Sequence, residues 1–193
     1  MTDTIVGEDG RARCRWALAD PEYLRYHDEE WGTPLHGDRP LFEKMCLEGF
    51  QAGLSWITIL RKRPAFRAVF HEFDPERVAA MGDDEIEAAM GNVGIIRNRA
   101  KILSTIKNAK LTLELTQDSP GALDQLMWSF APAPRTKRLT SMSQVPAVTD
   151  ESLAMSKELR KRGFGFVGPT TMYALMQSAG MVDDHVTGCW RAN

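Results

Sequence analysis

Cysteine is scarce in this chain. Its 193 residues hold three, Cys14, Cys46 and Cys189, too few and too scattered for a disulfide framework. Histidine is limited to four positions, His27, His36, His71 and His185. No apolar run is long enough to span a bilayer, so no membrane contact is expected. The opening MTDTIVGEDGRARCRW lacks the apolar stretch of a secretory signal. Charge is balanced too: 24 Lys and Arg against 26 Asp and Glu leave a formal net charge of −2, by itself an argument against a nucleic-acid partner. These absences point to a cytoplasmic protein with reduced thiols, of one or at most two domains.

Alternation of apolar and polar residues is also missing, so strands are not expected and the chain reads as all-α. Helix starts are well marked. Asp20–Pro21 and Asp74–Pro75 each pair a capping carboxylate with a proline at the first helical position. Further helices open near Asp38, after Ser119, at Thr149 or Asp150, and at Pro169. Gly163 and Gly180 stand where helices end. Residues 131–148 read as a long surface loop. Basic clusters at 61–63, 97–101, 135–138 and 160–162 suit solvated helix ends one by one, while four together leave room for a basic face.

Three residues separate His185 from Cys189, a spacing that suits two ligands of one metal. Cys14 and His27 lie near the other end. Together they make a Cys2His2 set that would pin two segments otherwise prone to fray. All four positions would be filled by protein, so such a zinc would be structural. Spacing alone leaves free thiols and unrelated histidines as an equal alternative.

Glu48 falls on the helical wheel beside Leu41, Met45 and Ala52, the apolar side. A carboxylate there is costly unless paired or used, and a salt bridge at the edge of the stripe is the plainer alternative. Tyr23, Tyr26 and Trp31 surround His27 in sequence, and Trp56 follows Glu48. Aromatics at such spacings usually build core, but an acid among several aromatics also suits a pocket for a flat, electron-poor ring. The turn after Gly163, with Lys161 and Arg162 beside it, could offer backbone N–H groups and a helix N-terminus to a phosphate. A plain connection with glycines for packing is its alternative.

In combination, YHDEEWG, LFEKMCLEGFQAGLSWITIL, FDPERVAAM, GIIRNRAKI, LMWSF, KRGFGFVGPTTMYALMQSAG and DHVTGC resemble the DNA-3-methyladenine glycosylase I family of the helix-hairpin-helix DNA glycosylase superfamily. The resemblance runs from Arg13 to Cys189. It implies a two-lobed all-α fold over residues 1–193 as a single glycosylase unit. The hairpin would fall at about 157–180, and residues 1–12 would lie outside the match as a mobile tail. It implies a structural zinc on Cys14, His27, His185 and Cys189, joining the N- and C-terminal segments. It assigns Glu48 to recognition of the excised base, with Tyr26 and Trp56 in the pocket and Trp16, Tyr23 and Trp31 as walls. Gly53 and Leu54 would fill the gap left in the duplex, and Lys161, Gly165, Gly168 and Thr170 would meet the DNA backbone.

The implied partner is double-stranded DNA containing alkylated bases, and the implied enzyme is a monomer. Its reaction is hydrolysis of the N-glycosidic bond of 3-methyladenine by base flipping, leaving an abasic site. No lysine in these motifs is placed as a Schiff-base nucleophile, so no lyase activity is expected. Two other classes remain: a zinc-stapled DNA-binding module without catalysis, and a zinc hydrolase using Glu48 as base. One position departs from the resemblance. The family carries Asn where this chain has Asp183, and Asp is the catalytic residue of the wider superfamily. Asp183 is therefore expected either to stabilise an oxocarbenium-like transition state, widening the range to 7-methylguanine, or to be a loop acid or partner of His185.

Overall fold

The structure, a computed structural model, describes residues 3–192. It is mostly helical, with nine α-helices and one two-stranded hairpin among the described residues. The hairpin corrects two expectations. Strand β1 (Thr4–Val6) pairs antiparallel with β2 (Ala12–Cys14), Ile5 facing Arg13. Strands of three residues are too short to show an alternating pattern. The segment read as a mobile tail over 1–12 is tied down, except that Met1 and Thr2 lie outside the described residues. Arg15 N donates to Asp3 O (2.9 Å), and the Asp3 carboxylate accepts from the Ser141 hydroxyl and from Met142 N (2.6 Å).

Helix α1 (Pro21–Glu29) starts as its sequence prescribes, with Asp20 accepting from Glu22 N at 2.9 Å. Helix α2 (Asp38–Gln51) is the central element, with nine of its 14 residues buried. It packs against α3 (Trp56–Val69), α6 (Arg99–Thr116), α7 (Ala122–Trp128) and α9 (Pro169–Ser178). Helices α4 (Pro75–Ala79) and α5 (Asp83–Gly91) cover α6, and α8 (Asp150–Lys161) pairs with α9 as the hairpin. Leu41, Phe42, Phe50, Phe66, Phe70 and Ile102 centre the main core. Cys14, Tyr26, Trp31, Leu60, Val186 and Cys189 form a second cluster where the two ends of the chain meet. Residues 131–148 are irregular apart from a 3-10 turn at Met142–Gln144.

Two long-range contacts set the ends of α2. Asp38 opens the helix, as expected, but its carboxylate caps another one: it accepts from Gly121 N (2.6 Å), Leu123 N (3.0 Å) and Asp124 N (3.0 Å) at the start of α7. Asp124 returns the favour, accepting from Gly37 N at 2.9 Å. Losing such a cap costs about 1–2 kcal/mol, so Asp38→Ala should melt about 2–8 °C lower with its low-temperature activity intact. A thermal melt that does not move would show that the reciprocal caps contribute nothing. At the other end, buried Lys101 donates from Nζ to Phe50 O and Ala52 O, both at 2.8 Å. This clamp fixes where the exposed loop 52–55 leaves the helix.

Candidate functional site

A pocket of about 250 Å³ opens between the N-terminal elements, α2 and α9. Its walls are Trp16, Tyr23, Tyr26, Trp31 and Trp56, with Glu48, Gln51, Met142, Ala174 and Gln177. All six residues singled out from the sequence as pocket candidates are thus brought together. Trp16 holds the aromatic wall, with Tyr23 and Trp31 edge-on to it at 5.4 and 5.1 Å between ring centroids. The Tyr23 hydroxyl accepts from Ile57 N (3.1 Å), tying α1 to the first turn of α3. Trp56 has its indole N–H buried without a hydrogen-bond partner among the described residues.

Glu48 is 3% exposed, as its place on the apolar side of α2 requires. Burial pushes its carboxyl up to about 7, against the opposing influence of the Lys44 charge and the Ser178 hydroxyl. Lys44 is itself buried, 3.7 Å from Glu30, and burial lowers its ammonium below the usual lysine range. Glu30 also accepts from Arg63 through both oxygens, at 2.6 and 2.8 Å. Neither Lys44 nor any other lysine is among the residues lining the pocket.

Behind the aromatic wall lie Cys14, His27, His185 and Cys189, all buried, each with one donor atom within 4.8 Å of the others. Cys189 Sγ is 3.4 Å from His27 Nε2 and 3.6 Å from His185 Nδ1. The outward nitrogens are committed: His27 Nδ1 donates to Asp28 Oδ1 (2.8 Å), and His185 Nε2 to Trp31 O (3.1 Å). Both imidazoles therefore turn a lone pair inward, and two sulfurs complete a four-donor set suited to zinc. Arg13 braces Asp28 through Nε and Nη2, at 2.8–3.0 Å, and holds Asp9 of the hairpin turn on its other side. Gly32 (φ +74°) holds a left-handed backbone conformation that favours glycine, and a Cβ there would crowd His185 Nε2 at 3.1 Å.

Other candidates are placed elsewhere. Asp183 is not in the aromatic pocket. It lines a separate cavity of about 590 Å³, with Oδ2 accepting from Arg138 (2.9 Å) and Oδ1 from His185 N (3.1 Å). Gly53 and Leu54 are exposed on the loop after α2, Leu54 at 42%. In the hairpin, Lys161 and Thr170 are exposed, and α9 begins without a side-chain cap at Gly168. Gly165 differs: its N–H donates to Asn108 Oδ1 (2.8 Å) and its carbonyl accepts from Asn108 Nδ2 (3.1 Å), so its amide is spent inside the protein. A Cβ there would stand 2.2 Å from Ser104 Oγ, so any side chain at this position requires the Ser104 hydroxyl to turn away. The basic clusters contain many paired side chains, among them Arg61–Asp20, Arg63–Glu30, Arg99–Glu87, Arg135–Asp184 and Arg162–Glu158. The wide basic face allowed by the sequence is thus partly neutralised. Gln177, Gln51 and Arg13 carried no sequence signal, because their places depend on which helices meet.

A family model described as methyladenine glycosylase matches residues 16–192. The chain is 49% identical to DNA-3-methyladenine glycosylase 1 of Escherichia coli (strain K12) over 178 residues, 92% of this chain and 95% of that protein. A crystal structure of 3-methyladenine DNA glycosylase I superposes with a TM-score of 0.88 at 48% identity, covering 93% of this chain and 98% of that one. A variant of 3-methyladenine DNA glycosylase I in complex with 3-methyladenine superposes with a TM-score of 0.85 at 34% identity, covering 92% and 95%.

Proposed function

The chain belongs to the methyladenine glycosylase family, and we propose that it excises 3-methyladenine from alkylated double-stranded DNA by base flipping, leaving an abasic site. The observation that carries the reading is a buried carboxylate, Glu48, in a pocket with five aromatic residues in its walls. Methylation at N3 makes the adenine ring cationic. A desolvated carboxylate gains most from a cation, and aromatic faces favour one as well. Unmodified adenine brings no charge to offset the burial of Glu48.

The chemistry follows from the leaving group. The C1′–N9 bond breaks with its electron pair going to the base, which departs neutral. Water adds to the oxocarbenium-like C1′ and releases its proton to solvent. No strong general acid is needed. With no lysine lining the pocket, a Schiff base is not part of the reaction, and the enzyme is a monofunctional hydrolase. Leu54, held out on the Lys101-clamped loop, fills the space the flipped nucleotide vacates, with Gly53 beside it. Gly168 and Thr170 at the open start of α9, with Lys161 nearby, meet the backbone phosphates. The buried Cys14, His27, His185 and Cys189 would hold a structural zinc that joins the N- and C-terminal segments, its role to fasten the fold rather than to cleave the bond. The three free cysteines suit a cytoplasmic location, and we take the active species to be a monomer.

High-performance chromatography of bases freed from methylated DNA tests the reading. A 3-methyladenine peak is expected, and its absence with folded protein would overturn it. Asp183 has no part in this mechanism. Asp183→Asn should release 3-methyladenine within about threefold of the unaltered protein, roughly 0.6 kcal/mol, and should leave any release of 7-methylguanine unchanged. A selective loss on 7-methylguanine, with metal content unchanged, would instead make Asp183 catalytic.

A further inference from the structure

Gln177 stands one turn after Tyr173 on α9, and both side chains reach the same carboxylate, that of Asp184, which is 1% exposed. Arg135 Nη2 donates to Tyr173 Oη (3.0 Å) and to Asp184 Oδ1 (2.9 Å). Tyr173, accepting from Arg135, gives its own proton to Asp184 Oδ2 at 2.6 Å. Gln177 Nε2 donates to the same oxygen at 2.9 Å. A guanidinium can only donate, so the direction of the whole chain is fixed from its Arg135 end. Both Asp184 oxygens are acceptors, and only the NH2 end of the Gln177 amide fits against them. The carbonyl end must then point elsewhere. Gln177 lines the pocket with Glu48, and its Oε1 takes no hydrogen bond among the described residues and is not sealed from solvent.

We propose that Gln177 is a specificity-determining residue for the excised base. Its carbonyl oxygen is held toward the pocket by Asp184, so that with Glu48 it accepts from an exocyclic amine and repels a purine bearing a carbonyl at that position. Asp184 is a positioning residue, acting only through the orientation of the amide. The inference rests on the glycosylase reading above.

The test is titration of the full-length protein with free 3-methyladenine and with 3-methylhypoxanthine, the same ring with a carbonyl in place of the amine, followed by quenching of the pocket tryptophans. The unaltered protein should prefer 3-methyladenine. Gln177→Met keeps the length of the side chain and removes both polar ends; it should lower that preference about tenfold. Asp184→Asn can offer an NH2 group to Gln177 and let its amide turn round. It should lower the preference similarly, with no further change when both are replaced. Melting curves accompany each variant, and if Asp184→Asn does not fold, Gln177→Met alone decides. An unchanged preference in Gln177→Met overturns the inference and leaves the glycosylase reading intact. An unaltered protein that binds neither base, and frees none from methylated DNA, overturns both.

Discussion

Glu48→Gln should cut release of 3-methyladenine by at least about a hundredfold, close to 3 kcal/mol of transition-state stabilisation, while raising the protein's melting temperature above neutral pH. The two effects have opposite signs because they have one cause. Burial lifts the Glu48 carboxyl from an ordinary 4.5 to about 7. The folded protein then binds the proton more tightly than the unfolded chain does. Stability is unaffected by this group below about pH 4.5. It falls as pH rises toward 7, and the full cost, roughly 3 kcal/mol, is present above that. Glutamine removes the cost. The variant should gain several degrees over the unaltered protein at pH 8 and melt with it near pH 4.5. Catalysis needs the opposite state. The carboxylate must be ionised to meet a cationic base, so kcat/KM should fall as pH drops through about 7 in the unaltered protein. Activity of Glu48→Gln within threefold of the unaltered enzyme would remove Glu48 from the reaction, whatever the melting curves show.

Metal removal should have the largest effect on stability. We expect about one equivalent of zinc in the purified protein, and for Cys189→Ala to lose most of it and melt more than about 10 °C lower. The four donors come from β2, α1 and the C-terminal segment, so no secondary-structure element would hold the set together without the ion. Activity should fall only in step with structure. Less than half an equivalent of zinc, together with an unmoved melting curve for Cys189→Ala, would sink the structural-zinc proposal. Reversible loss of activity on chelation with the fold intact would make the metal catalytic.

What was legible in the sequence was local or rested on residue type. The Asp20–Pro21 and Asp74–Pro75 starts are chemistry between neighbours, and they stand where expected. Glu48 was marked by helical periodicity and by the family resemblance. The Cys–His donors were visible by type, but only the fold shows all four side by side. What stayed hidden depends on contacts across the chain. Asp38 looks like a cap for its own helix and serves one 83 residues further on. Gln177 is one polar residue of α9 until that helix meets α2. The glycines of the hairpin suggested phosphate contacts, but Asn108 on α6 claims the amide of Gly165. Several basic residues read as a possible face form ion pairs with acids distant in sequence, as Arg61 does with Asp20 and Arg135 with Asp184.

The hydrogen bond from His185 to the Trp31 carbonyl links a wall of the pocket to a stretch of chain made 154 residues later. During synthesis the ribosome exposes Trp16, Tyr26, Trp31, Glu48 and Trp56 long before His185 and Cys189 emerge. The aromatic residues must wait, without their backing, for His185 and Cys189. A nascent or prematurely terminated chain would present those rings to chaperones and proteases rather than to DNA. Synthesis through Cys189 thus becomes a condition for a competent pocket, and fragments ending before His185 would be cleared instead of competing for damaged sites.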